Sequence, residues 1–96
     1  MLYDPRREYR AANPLTTESL IAWLETMPAQ ETYDYTDCKG VCLYSQYMVA
    51  HGVPHERCFE GEENAKFGYH VYRHVAVQRP WTFGAALSRA QRAPAI

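Results

Sequence analysis

The sequence predicts an α+β protein: a small antiparallel sheet of two or three strands with about three helices packed on one face. Three observations predict it. Apolar residues recur at helical spacing in three stretches, at about residues 17–27, 37–50 and 82–92. Residues 66–78 instead alternate apolar and polar, the period of a strand with one face on the core and one toward solvent. The chain has 96 residues, 47% of them hydrophobic, enough for one packed core and no more.

Residues 1–14 carry mixed charges and two prolines and read as a flexible N-terminal arm. A single domain is expected over 15–92, with 93–96 as a frayed C-terminus. The first helix should run from Thr17 to Met27. Thr16 or Thr17 can cap its free N–H groups, and Leu20, Ile21, Leu24 and Met27 share one face. Pro28 stops it, having no N–H to donate. Tyr33 and Tyr35 then alternate with Thr32, Asp34 and Thr36, as in an edge strand.

The second helix is expected from Asp37, whose side chain can cap it and whose charge suits the positive end of the helix dipole. Cys38, Val41, Cys42, Ser45, Met48 and Val49 follow its 3.6-residue period, and Gly52 ends it. A hairpin is expected next. Its first strand is Arg57 to Glu60, its turn Gly61 to Asn64, and its second strand Lys66 to Gln78. Phe67, Tyr69, Val71, Val75 and Val77 would face the core, with Lys66, His70, Tyr72, His74 and Gln78 outward. Pro80 breaks that strand, and Thr82 caps a last helix with Phe83, Ala86, Leu87 and Ala90 on one face.

Charge and hydropathy exclude several functions. The net charge is −1, so no overall basic field favours direct nucleic-acid binding. No apolar run approaches the roughly 18 residues that span a bilayer, and no signal peptide is evident, so the cytoplasm is the expected location. An odd number of cysteines, three, suits reduced thiols. There is no Gly-rich phosphate loop and no Gly-x-Ser-x-Gly elbow, and no cofactor is expected.

Three groups of residues bear on chemistry. Cys38, at the start of a buried helix, would feel the partial positive charge there, which favours its thiolate. With His74 as base and His70 in reserve, it forms a candidate nucleophile pair. The run Asp37-Cys38-Lys39-Gly40-Val41, with Tyr47 and Gly52-Val53-Pro54, resembles the nucleophile helix of papain-like cell-wall cysteine endopeptidases. That resemblance implies a minimal hydrolase using Cys38 and a histidine from the following sheet. Cys38, Cys42, His51, His55 and Cys58 are metal-ligand types, but their spacing matches no zinc knuckle. On a strand His70 and His74 would stand about 13 Å apart, too far to share an ion. No metal site is therefore expected. Finally, Glu31, Asp34, Asp37, Glu56, Glu60, Glu62 and Glu63 could form an acidic surface beside tyrosines.

Leu20-Ile21-Ala22-Trp23-Leu24-Glu25, Tyr33-Asp34-Tyr35 through Cys42-Leu43 and Gln46-Tyr47, and Pro80-Trp81-Thr82-Phe83-Gly84-Ala85-Ala86-Leu87 form a familiar set. It resembles small proteins of bacteriophages, prophages and their bacterial hosts. That resemblance implies a non-catalytic accessory protein that binds a host protein or ribonucleoprotein complex, such as an anti-CRISPR inhibitor. The expected binding residues are Tyr33, Asp34, Tyr35, Asp37, Glu62, Glu63, His70, Tyr72 and His74. The chain's eight tyrosines also admit self-association as a homodimer.

Overall fold

The computed structural model describes residues 13–35 and 42–94. Helix α1 spans Thr17–Leu24, α2 Leu43–Ala50, α3 Glu62–Val71 and α4 Phe83–Arg92. A short 3-10 turn, His55–Arg57, precedes α3, and a π-helical turn, Tyr72–Ala76, continues it. Among the described residues there is no β-strand, and one isolated bridge joins Thr32 to Thr82. The fold is all-helical, which corrects the α+β expectation.

The first and last helices start where their sequences place them, although α1 ends at Leu24, three residues short of the expected Met27. Thr16 Oγ1 accepts from the Ser19 N–H at 3.1 Å and caps α1. Thr82 Oγ1 does the same for α4, accepting from Ala85 at 3.3 Å. Helix α1 buries Leu20, Trp23 and Leu24, and α4 buries Phe83, Ala86 and Ala90. The two pack together, with the Trp23 and Phe83 rings edge to face at 5.8 Å. Upstream of α1, the Pro14 carbonyl accepts from the Tyr47 hydroxyl, so the chain already joins the core there.

Helix α2 is central. Leu43, Tyr44, Ser45, Tyr47 and Met48 are all buried, so it has little solvent face. Cys42 caps it: its sulfur accepts from the Ser45 N–H at 3.3 Å. The Asp37 cap expected from the sequence lies outside the described residues, as do Cys38 and Val41. Gly52, at φ 86°, follows the helix in the left-handed conformation that glycine readily adopts.

The hairpin is replaced by helix. Arg57 opens no strand, and Gly61 to Asn64 are no hairpin turn. Gly61, at φ 90°, is instead the N-cap of α3, with Glu62 and Glu63 in its first turn against the positive dipole end. The intended strand, Lys66 to Gln78, is α3 and its π turn. The reason is a double period in the pattern. Phe67, Val71 and Val75 are four apart and share a helix face, while Phe67, Tyr69 and Val71 alternate as in a strand. The small residues decide. Gly68 and Ala76 are buried beside Phe67, Val71 and Val75, whereas Tyr69 is 69% exposed. A Cβ on Gly68 would stand 2.5 Å from the Phe59 ring and 2.7 Å from the Tyr44 ring. Glycine therefore sits there because α3 packs at close range.

A helix end leaves its last carbonyls without intrahelical partners. Here side chains from elsewhere supply them. Gln78 Nε2 donates to the Arg73 carbonyl at 2.6 Å, Arg89 Nε to Val75 at 2.7 Å, the Tyr33 hydroxyl to Ala76 at 2.7 Å, and Trp81 Nε1 to Val77 at 3.0 Å. Arg89 also donates to the Pro80 carbonyl at 3.1 Å and to the Tyr33 hydroxyl at 2.9 Å. This network ties the π turn to α4 and to the 31–35 segment. The Arg79–Pro80 peptide between them is cis.

Candidate functional site

The outer face of α3 and its π turn presents the most distinctive surface. Lys66, Tyr69, His70, Tyr72, Arg73, His74 and Val77 line a shallow depression there. Residues 66, 70, 73 and 77 recur at helical intervals, so their side chains rise from one face. Tyr69 and Tyr72 are 69% and 41% exposed, both large aromatic surfaces open to solvent. The Tyr69 ring leans on Phe59 at 5.7 Å, which steadies it without covering it.

His70 and His74 are neighbours here, with ring centroids 4.9 Å apart. The strand reading separated them; one helical turn joins them. Burial pushes the His70 pKa down, the adjacent His74 adds to that, and a hydrogen bond to the Pro94 backbone opposes it. The unfolded His70 should titrate near 6.5. Folding thus favours neutral His70, and the stability linked to it is complete above that pH. It is lost as pH falls below about 6.5 toward the lower folded value. The denaturation midpoint should therefore drop between pH 6.5 and 5, and His70→Gln should flatten part of that slope. An unchanged slope in the variant would show that His70 does not titrate differently on folding.

A second depression is lined by Glu31, Thr32, Asp34, Tyr35, Gln46 and Trp81, among others. Tyr35 stacks on Trp81 at 4.2 Å, and the Arg79 guanidinium lies 4.9 Å from the Trp81 ring centre. The backbone holds this stack in place. The Tyr33 N–H donates to the Trp81 carbonyl, and the Phe83 N–H to that of Glu31.

The expected binding residues therefore scatter. His70, Tyr72 and His74 come together on α3 and its π turn. Asp34 and Tyr35 share the Trp81 depression. Glu62 and Glu63 are exposed, but they lie about 12 Å along α3 from His70. Tyr33 is buried and serves the fold through Ala76 and Arg89. Asp37 is outside the described residues. Tyr69, Arg73, Trp81 and Arg79 were not singled out from the sequence. A helical reading of 62–77 would have placed Tyr69 and Arg73 on the outer face.

The hydrolase arrangement loses its sheet. His74 sits in a π turn of a helix and not on a strand, and Cys38 is outside the described residues. The remaining ligand-type residues are structural. Cys42 and Cys58 are buried free thiols, and burial, followed by the neighbouring Cys42, pushes the Cys58 thiol up. The buried His51 ring places Nδ1 2.9 Å from the Tyr47 carbonyl, and His55 pairs with Glu56 at 3.0 Å. Among the described residues no three histidine, cysteine or acidic side chains gather around a common metal position. None of the helices there is long and apolar enough to cross a membrane.

Comparison with protein-family models, curated proteins and solved structures found no match to this chain. The phage-type and anti-CRISPR expectations gain no support from it.

Proposed function

We propose that this is a non-catalytic accessory protein that acts by binding a macromolecular partner, a protein or ribonucleoprotein complex, through the outer face of α3. The observation that carries this reading is the exposed pair Tyr69 and Tyr72 flanking a concave surface that also holds Arg73. Tyrosine and arginine are the residue types that anchor protein interfaces, because each adds contact area and a directional polar group. The helix beneath is held by its side-chain-capped carbonyls, so little order need be lost on binding.

The test is capture of partners from host lysate by immobilised protein, followed by measurement of the purified complex. A stoichiometric complex is expected, with no turnover. Tyr69→Ala and Tyr72→Ala should each weaken it by at least about tenfold, as anchor residues do. Their unfolding midpoints should remain near that of the unaltered chain, since both rings are exposed. No specific partner together with turnover of any substrate would overturn the reading, and so would undiminished capture by both variants.

A further inference from the structure

We propose that the outer face of α3 and its π turn takes an acidic helical segment of a partner protein, whose carboxylates meet Lys66 and Arg73 and whose apolar side chains meet Tyr69 and Tyr72. The inference rests on the partner-binding reading and adds the chemistry of the partner. It begins with the charges of the face. Lys66 and Arg73 are exposed, line one depression and share it with no carboxylate. Among the described residues neither takes part in an ion pair. The two histidines of the depression can add positive charge on protonation and never negative charge.

The spacing fits a helix laid along this face. Seven residues at about 1.5 Å each set Lys66 and Arg73 about 10 Å apart along the axis. Carboxylates seven residues apart on a partner helix have the same separation. Arg73 can hold one carboxylate through two parallel N–H donors, and Lys66 offers a point charge to the other. Between them in the chain, Tyr69 and Tyr72 leave 69% and 41% of their surface open. Each supplies apolar area and a hydroxyl that can also donate to a carboxylate.

Two other occupants fit less well. A two-fold pairing of this face with a second copy would set cations against cations, because the same patch serves both sides. A nucleic-acid strand would gain from neutralising only about two phosphates, against a chain of net charge −1. Glu62 and Glu63 are exposed one turn before Lys66 and would repel a phosphate backbone running past that end. An acidic protein segment can stop short of them.

The experiment uses the full chain and synthetic peptides of about 20 residues, long enough to populate helix in water. One carries glutamates seven residues apart with leucines between them. A second has glutamine at those positions, and a third has lysine. Binding is read by fluorescence anisotropy and by NMR of the protein's amide resonances. The glutamate peptide should shift resonances within residues 66–77 and bind about tenfold more tightly than the glutamine peptide at low ionic strength. The double variant Lys66→Glu with Arg73→Glu should instead prefer the lysine peptide. Both positions are exposed, so the variant keeps its fold, and its reversed preference shows that it does. Equal affinity for the glutamate and glutamine peptides, or no shift with any of them, would overturn the inference. Tighter binding at residues 66–77 of an oligothymidylate of about 12 nucleotides would overturn it in favour of nucleic acid. The partner-binding reading is separable. If Tyr69→Ala and Tyr72→Ala weaken capture of a lysate partner and the double charge reversal does not, that reading stands and the acidic one falls.

Discussion

Phe67→Ala is expected to lower the unfolding free energy by about 3–5 kcal/mol, the cost of emptying a buried aromatic site. The Phe67 ring is 2% exposed. It packs against Tyr44 at 6.2 Å, Tyr47 at 6.5 Å and His70 at 6.4 Å between ring centroids. Those rings belong to α2 and to α3 itself, so alanine would open a cavity between two packed helices. Domains are stable by only about 5–15 kcal/mol, so this single change removes much of the total. The measurement is urea denaturation, reading a lower midpoint at an unchanged slope.

The same experiment on Tyr69→Ala separates helix from strand. On a strand, Tyr69 shares the core face with Phe67, and its loss would cost about as much. On the helix, Tyr69 points to solvent, and the change should stay within about 0.5 kcal/mol. Equal losses at 67 and 69 would return the segment to a sheet.

The second large effect is expected at Arg89. Arg89→Met should cost about 2–4 kcal/mol, because one charged donor serves the Val75 carbonyl, the Pro80 carbonyl and the Tyr33 hydroxyl. Losing the guanidinium leaves the π turn short of a partner in a half-buried site. Lysine should recover only part of the loss, since its point charge cannot reproduce three divergent hydrogen bonds. Tyr33→Phe should cost about 1–2 kcal/mol through the Ala76 carbonyl.

The two changes should not add. Tyr33 both donates to the π turn and accepts from Arg89, so a double-mutant cycle should show coupling of about 0.5 kcal/mol or more. The Tyr33 titration gives an independent reading. Burial raises its pKa, and the Arg89 charge and hydrogen bond hold that rise back. In Arg89→Met the phenol should titrate higher still. A loss below about 0.5 kcal/mol with an unmoved Tyr33 titration would remove Arg89 from the network.

Such a network is invisible to local pattern. By local pattern alone Arg89 is a favourable charge in a last helical turn, and Tyr33 a tyrosine of an edge strand. Tyr33 reaches the Ala76 carbonyl across 43 residues of sequence, and Arg89 reaches Tyr33 across 56. The candidate site suffered likewise. His70 and His74 were both noticed, yet their relation changed from well apart to adjacent once the segment was a helix.

The sequence by itself determined the elements whose signals are local. Thr16 and Thr82 cap α1 and α4 because a hydroxyl three residues ahead of a free N–H suffices, wherever the rest of the chain lies. The apolar spacing of Leu20 with Leu24, and of Phe83 with Ala86 and Ala90, fixes their buried faces in the same way. Tertiary structure decided residues 57–78. There Phe67, Val71 and Val75 satisfy two periods at once, so periodicity cannot choose between them. The choice falls to what the core admits: a glycine against Tyr44 and Phe59, and distant donors for the carbonyls of a π turn. Those donors come from α4 and the 31–35 segment, and the placement of His70 beside His74 follows from them.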